Sequence, residues 1–492
     1  MSQLPCLSTT VAHSKAQLQP QRQYDVIVVG AGITGAGIAR ESARRGWSTL
    51  LLEQGDFASG TSNFSSKMVH GGLRYLAQGN WRLTKEAAQA REQLLQRWPD
   101  LVKPMPYLFT AQGPLDAVQH KFGLWLYYKL SGAHVRHKPV HFSQQELNKL
   151  LPGLTVSAPW GANRYFDAIC DDAALVLRTL QEAALYGAHL CHYTPVLALG
   201  QSQPQQIEVT LSHQGQPITL QAKVAINATG VWADNLTPMP AGMKIRPQRG
   251  SHLLLPWQQL PLPAAMTFIH PQDQRVVFAY PWAGCTVLGT TDLDHLADKN
   301  QPCVISSAEQ EYLLALLPLL GCQQQPTLLA SWSGLRPIMA ENNNTDAPSS
   351  VSREHLIWQQ QRLLSISGGK LTTFVTMAEE VLDQAARLLP QAAAQADTPL
   401  QAPLQSDVEY WHGTQISKAS LRYWSAHGAI TQLSDLLIRR TRLGWVLGPA
   451  LKQQQQQLQQ LCQPLLLWDE QQWQQQWQQY WAEFDRQYRP HS

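Results

Sequence analysis

The 492-residue sequence predicts an α/β protein in three parts: a layered strand-and-helix domain, an inserted and mostly antiparallel β domain, and a helical C-terminal domain. Three observations predict it. Residues 26–53, VIVVGAGITGAGIARESARRGWSTLLLE, run from apolar strand through glycine turn and helix to a second strand ending in an acid. Strand-like segments at 252–255, 275–278 and 286–289 follow at spacings that suit antiparallel pairing. From about residue 390 the composition turns to Gln, Leu and Trp, with Trp473, Trp477, Trp481 and Phe484 recurring at helical spacing.

The first observation carries the most chemistry. Gly30 permits a tight turn, Gly32 lets the backbone approach a pyrophosphate, and Gly35 lets the helix pack closely on the strand. Ile33 and Thr34 open the helix, whose unpaired N–H groups and positive dipole end then face the phosphates. Glu53, at the end of the second strand, suits a ribose hydroxyl and would repel a 2′-phosphate. The unit is Rossmann-like.

The remaining elements follow in order. Residues 1–23 are polar and read as a disordered leader without a secretory signal. A helix is expected from Asn80 to Trp98, and another from Asp171 or Asp172 to Tyr186 with acids at its start. Between them, residues 99–160 hold seven prolines, too many for one regular element. Asn227-Ala228-Thr229-Gly230 ends an apolar strand and belongs beside the first glycine turn, and 371–389 reads as an amphipathic helix. The domains are therefore expected as 24–105, 161–245 and 330–389 for the cofactor, 106–160 and 246–329 for a substrate cap, and 390–492 for the helical region. The aromatic stripe of that last region is expected to pack on the body, or else to meet a membrane or a second copy of the chain.

Bulk properties exclude several classes. The formal net charge of +3 is too balanced for a nucleic-acid binder. Seven scattered cysteines without CxxC spacing read as reduced thiols, with no metal site, in a cytoplasmic protein. No apolar run approaches the ~20 residues of a membrane span.

Bound FAD is favoured over exchangeable NAD because no second GxGxxG follows, while two further segments could complete a long cradle. In 57–62, FASGTS, hydroxyls and N–H groups could hold pyrophosphate. In 367–373, SGGKLTT, the start of a helix could face the reducible edge of the ring and favour its reduction. Lys67, His70, Arg74, Arg336, Arg353 and Lys370 lie in or near these segments, and such a cluster suits a small phosphorylated or carboxylated substrate.

The pieces VIVVGAGITGAGIAR, FASGTSNFSSKMVHGGLRYL, NATGVW, RGSHLLLP, LGTTD, SGLRPIM and SGGKLTTF, in this order, resemble the flavin-dependent, quinone-linked glycerol-3-phosphate dehydrogenases within the D-amino-acid-oxidase-like flavoproteins. The resemblance implies substrate contacts at Arg74, Tyr75, Thr290, Arg336, Arg353 and Lys370. It implies FAD contacts at Gln54, Thr61, Ser62, Ser66, Gly71, Gly72, Leu73, Val196, Ala228, Thr229, Gly230, Gly334, Gly369, Lys370, Leu371 and Thr372, beside the glycine turn and Glu53. Asn63 and Phe64 depart from the small or basic residues expected there.

The implied reaction is oxidation of sn-glycerol 3-phosphate to dihydroxyacetone phosphate, with hydride passing to FAD N5 while His70 or His252 takes the hydroxyl proton. Arg336 could steady the developing alkoxide. The implied acceptor is a membrane quinone. The aromatic and basic segments 120–130 and 436–445 are expected to meet the inner face of the membrane peripherally. The alternatives are an oxidase of the same fold that uses oxygen, on glycerol phosphate or an amino acid, and a flavin-holding protein without activity.

Overall fold

The computed structural model describes residues 4–20, 22–73, 76, 79–111, 113–132, 137–151, 158–322, 326–341, 354–401 and 408–491. Arg74, Tyr75 and Arg353 lie outside the described residues.

Two sheets organise the chain. The first runs in the order His355–Gln360, Leu363–Gly368, Gln216–Asn227, Gln23–Val29, Thr49–Leu52 and His189–Cys191. Its centre is parallel, and Val26–Val29 and the whole of Thr49–Leu52 are buried, as expected for strands covered on both faces. Helices Ile33–Arg44, Asp172–Leu185 and Phe374–Ala385 share one apolar core with it. Asn80 and Asp171 each cap their helix by accepting from the N–H three residues on, Leu83 and Ala174.

The second sheet is antiparallel except where Ala265–Ile269 meets Val102–Thr110. Its centre is the long pairing of Met243–Pro256 with Ala330–Glu341, flanked by Cys285–Gly289 and Val276–Trp282. Met68–Val69, Ala162–Cys170 and Ala330–Glu341 also hydrogen-bond into this sheet, so it draws strands from well outside 106–160 and 246–329. The proline-rich stretch resolves into short elements, among them Val102–Thr110, the helix Pro114–Ser131 and the helix Gln144–Leu150.

Two expectations are corrected and a third holds. Residues Leu7–Ala16, read as part of a disordered leader, form a helix. Leu7 and Val11, one turn apart, are buried in the first core, and Ser14 Oγ accepts the Leu190 N–H at 2.9 Å. The C-terminal aromatic stripe packs on the body, as expected first: Trp473, Trp477, Trp481 and Phe484 are buried in one cluster with Trp332 and Trp445. The segment 436–445 is buried too and does not form a basic surface. Arg440 donates twice to Asp56, at 2.6 and 2.7 Å, Arg439 also reaches Asp56, and Arg442 binds Asp171 and Asp172 at 2.6–2.9 Å. Buried guanidinium groups require such partners, and those partners lie hundreds of residues earlier in the chain.

The departures at Asn63 and Phe64 belong to the same contact. Asn63 Oδ1 accepts from Arg442, and the Phe64 ring lies 6.1 Å from that of Trp445. Asn63 thus tethers the cofactor-side loop to the C-terminal helices.

Candidate active site

The two sheets enclose a cavity of about 1740 Å³ whose wall includes Gly30, Gly32, Ile33, Thr34, Glu53, Gln54, Thr61, Ser62, Ser66, His70, Gly72, Leu73, Val196, Ala228, Thr229, Gly230, Thr290, Gly334, Arg336, Gly369, Lys370, Leu371 and Thr372. Gly35, Gly71 and His252 are not on that wall. Gly35 packs behind it, where a Cβ would lie 1.8 Å from the Gly30 carbonyl oxygen. Gly71 turns away toward Ala88 and Tyr127, and its N–H donates to Asp167 at 3.2 Å.

At the nucleotide end, Gly30 has φ +102°, and a Cβ there would meet the Ala228 carbonyl at 2.7 Å, so strand end, helix start and the 227–230 turn come together only at glycine. No side chain caps the Ile33–Arg44 helix at Gly32; Ser62 Oγ instead accepts the Ile33 N–H at 2.9 Å. Glu53 accepts from Ala31 N–H at 2.7 Å and Gly55 N–H at 2.9 Å. Those bonds occupy two of a carboxylate's roughly four acceptor positions and leave others for a ribose hydroxyl. Burial raises its pKa, opposed by these N–H groups.

At the other end, Thr372 Oγ1 is buried with no hydrogen-bond partner and sits on the cavity wall. An orphaned buried hydroxyl of this kind calls for a ligand. The glycine cradle, the free acceptor positions of Glu53 and the orphan at Thr372 together fit an extended dinucleotide.

Between the ends, one face of the second sheet presents the reactive side chains. Trp332, Gly334 and Arg336 alternate along one strand and His252 and Gly250 along its neighbour, with His252 opposite Trp332 and Gly250 opposite Gly334. Arg336 crosses its neighbour strand at Gly250, where a Cβ would lie 2.2 Å from the guanidinium. It then donates to Asp292 Oδ1 at 2.9 Å and Thr290 Oγ1 at 3.1 Å. Gly250 and Asp292 escaped the sequence reading although both lie in quoted motifs, because their role is to let Arg336 cross and to hold it there. Their signal was the alternation of Gly250 with His252, and the closeness of Asp292 to Thr290.

His252 stacks on Trp332 with centroids 5.0 Å apart, and Trp332 stacks on Trp445 at 4.9 Å. Its Nε2 is 2.8 Å from Ser66 Oγ, which lines the cavity, so it reaches the cavity through that hydroxyl. Burial first, then Arg336 and Lys67, holds its pKa well below the ordinary histidine value. The imidazole is neutral at pH 7. A histidine whose folded pKa is depressed contributes stability that is complete above about pH 6.5 and is lost as the pH falls below it, because only the unfolded chain takes up the proton. Acidification from pH 6.5 to 5.5 should therefore destabilise the wild type more than His252→Asn, by as much as about 1 kcal/mol. Equal losses in denaturant midpoint for the two proteins would refute this.

Lys67, read from sequence among the substrate cations, is buried away from the cavity. Its Nζ donates to Asp172 at 2.8 Å and lies 5.1–5.5 Å from the rings of Trp282, Trp332 and Trp445. Burial, opposed by Asp172, brings its pKa down to about 8.

A family model of FAD dependent oxidoreductases matches residues 25–358 of this chain. Glycerol-3-phosphate dehydrogenase 2 of Mycobacterium tuberculosis is 35% identical over 399 residues, which cover 78% of this chain and 67% of that protein. The chain belongs to the glycerol-3-phosphate dehydrogenases among the FAD dependent oxidoreductases. Aerobic glycerol-3-phosphate dehydrogenase of Staphylococcus epidermidis is 31% identical over 392 residues, covering 77% of this chain and 70% of that protein. The fold is that of the glycerol-3-phosphate dehydrogenase of Bacillus halodurans complexed with FAD, with a TM-score of 0.71 at 22% identity and 97% of each chain covered. FAD is the cofactor of this dehydrogenase family member, in accord with the cradle described above.

Proposed function

We propose that this chain oxidises sn-glycerol 3-phosphate to dihydroxyacetone phosphate and delivers the electrons to a membrane quinone. What supports the reading is one cavity whose wall carries both a dinucleotide cradle and the side chains of Arg336, Thr290 and Lys370. Two of those three are cations, suited to an anionic substrate.

Gly30, Gly32, Ile33, Thr34, Glu53, Ser62, Ala228, Thr229, Leu371 and Thr372 would hold FAD, which supplies hydride acceptance when bound. His70 is the base that takes the C2 hydroxyl proton, since it is exposed on the cavity wall whereas His252 is shielded by Ser66. His252, kept neutral, fixes the Ser66 hydroxyl. Arg336, anchored by Asp292, places its guanidinium where it steadies negative charge on the substrate oxygen. Lys370 and Thr290, also on the cavity wall, supply further contacts. Arg74, Tyr75 and Arg353 complete the substrate set in this proposal.

Among the described residues no helix is long and apolar enough to cross a membrane. Contact with lipid is assigned to the helix Pro114–Ser131. It exposes Leu115, Val118, Phe122 and Trp125 (76, 68, 64 and 45%) at spacings of three and four, one continuous helical stripe. Exposed Lys121 and Lys129 on the same helix, with Trp81 and Arg82 on the neighbouring one, suit an anionic interface.

The acceptor and the lipid contact are tested together. Enzyme reduced anaerobically by glycerol 3-phosphate should reoxidise rapidly with a quinone in anionic vesicles. A Phe122→Glu, Trp125→Glu double variant should lose sedimentation with those vesicles while still oxidising substrate with a water-soluble acceptor. Rapid reoxidation by air with one peroxide per turnover would replace the quinone reading with the oxidase one. Vesicle binding unchanged in the double variant would remove this helix as the contact.

A further inference from the structure

A second arginine shares the carboxylate that holds Arg336. Arg275 immediately precedes the strand Val276–Trp282, whose pairing of Phe278 with Gly289 carries on to set Arg275 near Asp292. Its guanidinium lies 3.6 Å from Asp292 Oδ2, donates to the Asp292 carbonyl at 3.4 Å, and lies 4.0 Å from Asp273. All three contacts are long for a guanidinium. Arg336 instead holds Asp292 at 2.9 Å, and Asp273 is engaged by the Tyr312 hydroxyl at 2.9 and 3.0 Å. Both arginines and Asp292 lie on the cavity wall, where Asp292 is almost wholly buried and the two arginine side chains keep about a fifth of their surface.

Asp292 lies between two guanidinium groups at this wall and is held closely by only one of them. The same carboxylate would repel a phosphate if only one arginine were present. A planar fork that is weakly held and open to the cavity is free to turn onto an oxyanion, and two such bonds outweigh the long contacts it gives up.

We propose that Arg275 is a substrate-binding residue that takes the phosphoryl group of the substrate, while Asp292 keeps Arg336 fixed for the reacting end. The assignment rests on the glycerol phosphate reading above. It also gives the site its preference for a phosphorylated over an uncharged polyol, since an uncharged substrate gives Arg275 no reason to leave Asp292.

The test uses FAD-loaded enzyme and compares wild type, Arg275→Gln and Arg275→Lys. Arg275→Gln should raise KM for glycerol 3-phosphate roughly 10- to 100-fold, a larger change than in kcat, and should weaken inhibition by inorganic phosphate in parallel. Arg275→Lys should recover only part of both, because it returns the charge without the fork. The flavin content of all three should match. Unchanged KM and unchanged phosphate inhibition in Arg275→Gln, or a fall in kcat at constant KM, would overturn the assignment. If wild type is not reduced by glycerol 3-phosphate at all, the substrate reading fails; phosphate binding by the same three proteins, followed by calorimetry, still decides whether Arg275 holds the anion.

Discussion

Replacing His70 by asparagine is expected to lower kcat about 10²- to 10⁴-fold while the protein keeps its FAD, the range measured for removal of a positioned general base. The expectation rests on position. His70 is exposed on the cavity wall, whereas His252 meets that wall only through Ser66 Oγ at 2.8 Å. The asparagine side chain keeps a similar shape and hydrogen-bonding capacity but accepts no proton near neutral pH, so a loss of turnover without loss of flavin isolates the proton transfer. A His70→Asn enzyme within about threefold of wild type, together with a large loss in Ser66→Ala, would move the base to His252.

The second large effect concerns stability. Arg442→Met should destabilise the holoenzyme by about 3–5 kcal/mol, the usual cost of removing one partner from a buried ionic cluster. Arg442 donates to Asp171, to Asp172 and to Asn63, and it stacks near Trp445 with its guanidinium carbon 5.1 Å from the ring centre. Without it the buried Asp172 keeps the Lys67 ammonium, the Ser65 hydroxyl and backbone donors, and the half-buried Asp171 keeps the Ala174 N–H. Arg442→Lys should restore little, since one ammonium cannot span both acids and the Asn63 carbonyl. The check is the unfolding midpoint at fixed FAD concentration. An unchanged midpoint in Arg442→Met would show that the cluster contributes specificity without net stability.

The cofactor half of the fold was legible because its requirements are local. A turn with φ +102° at Gly30 and a 1.8 Å approach at Gly35 admit glycine alone, and the strand, helix and acid around them occupy one contiguous stretch of 28 residues. Arg336 was legible as a cation in a glycine-rich frame. Asp292 and Arg275 were not, because their part depends on cross-strand register between segments that the sequence shows only as short apolar runs. The arginines at 439, 440 and 442 were misread for a related reason. An arginine-rich stretch looks like surface until its acids are found, and Asp56, Asp171 and Asp172 lie more than 250 residues away. The N-terminal helix was missed because two buried apolar residues one turn apart are too faint a pattern to outweigh polar neighbours. By contrast, of the aromatics singled out from sequence at 120–130, Phe122 and Trp125 remain exposed in the fold, while Tyr127 is buried.

The account turns on one cavity that holds FAD and presents cations to glycerol 3-phosphate. The most direct measurement is the visible absorption of FAD-loaded protein under anaerobic conditions as sn-glycerol 3-phosphate is added. Bleaching of the yellow oxidised spectrum, to an end point set by the amount of flavin, is predicted. A fully loaded sample whose spectrum is unchanged at saturating glycerol 3-phosphate would contradict the account.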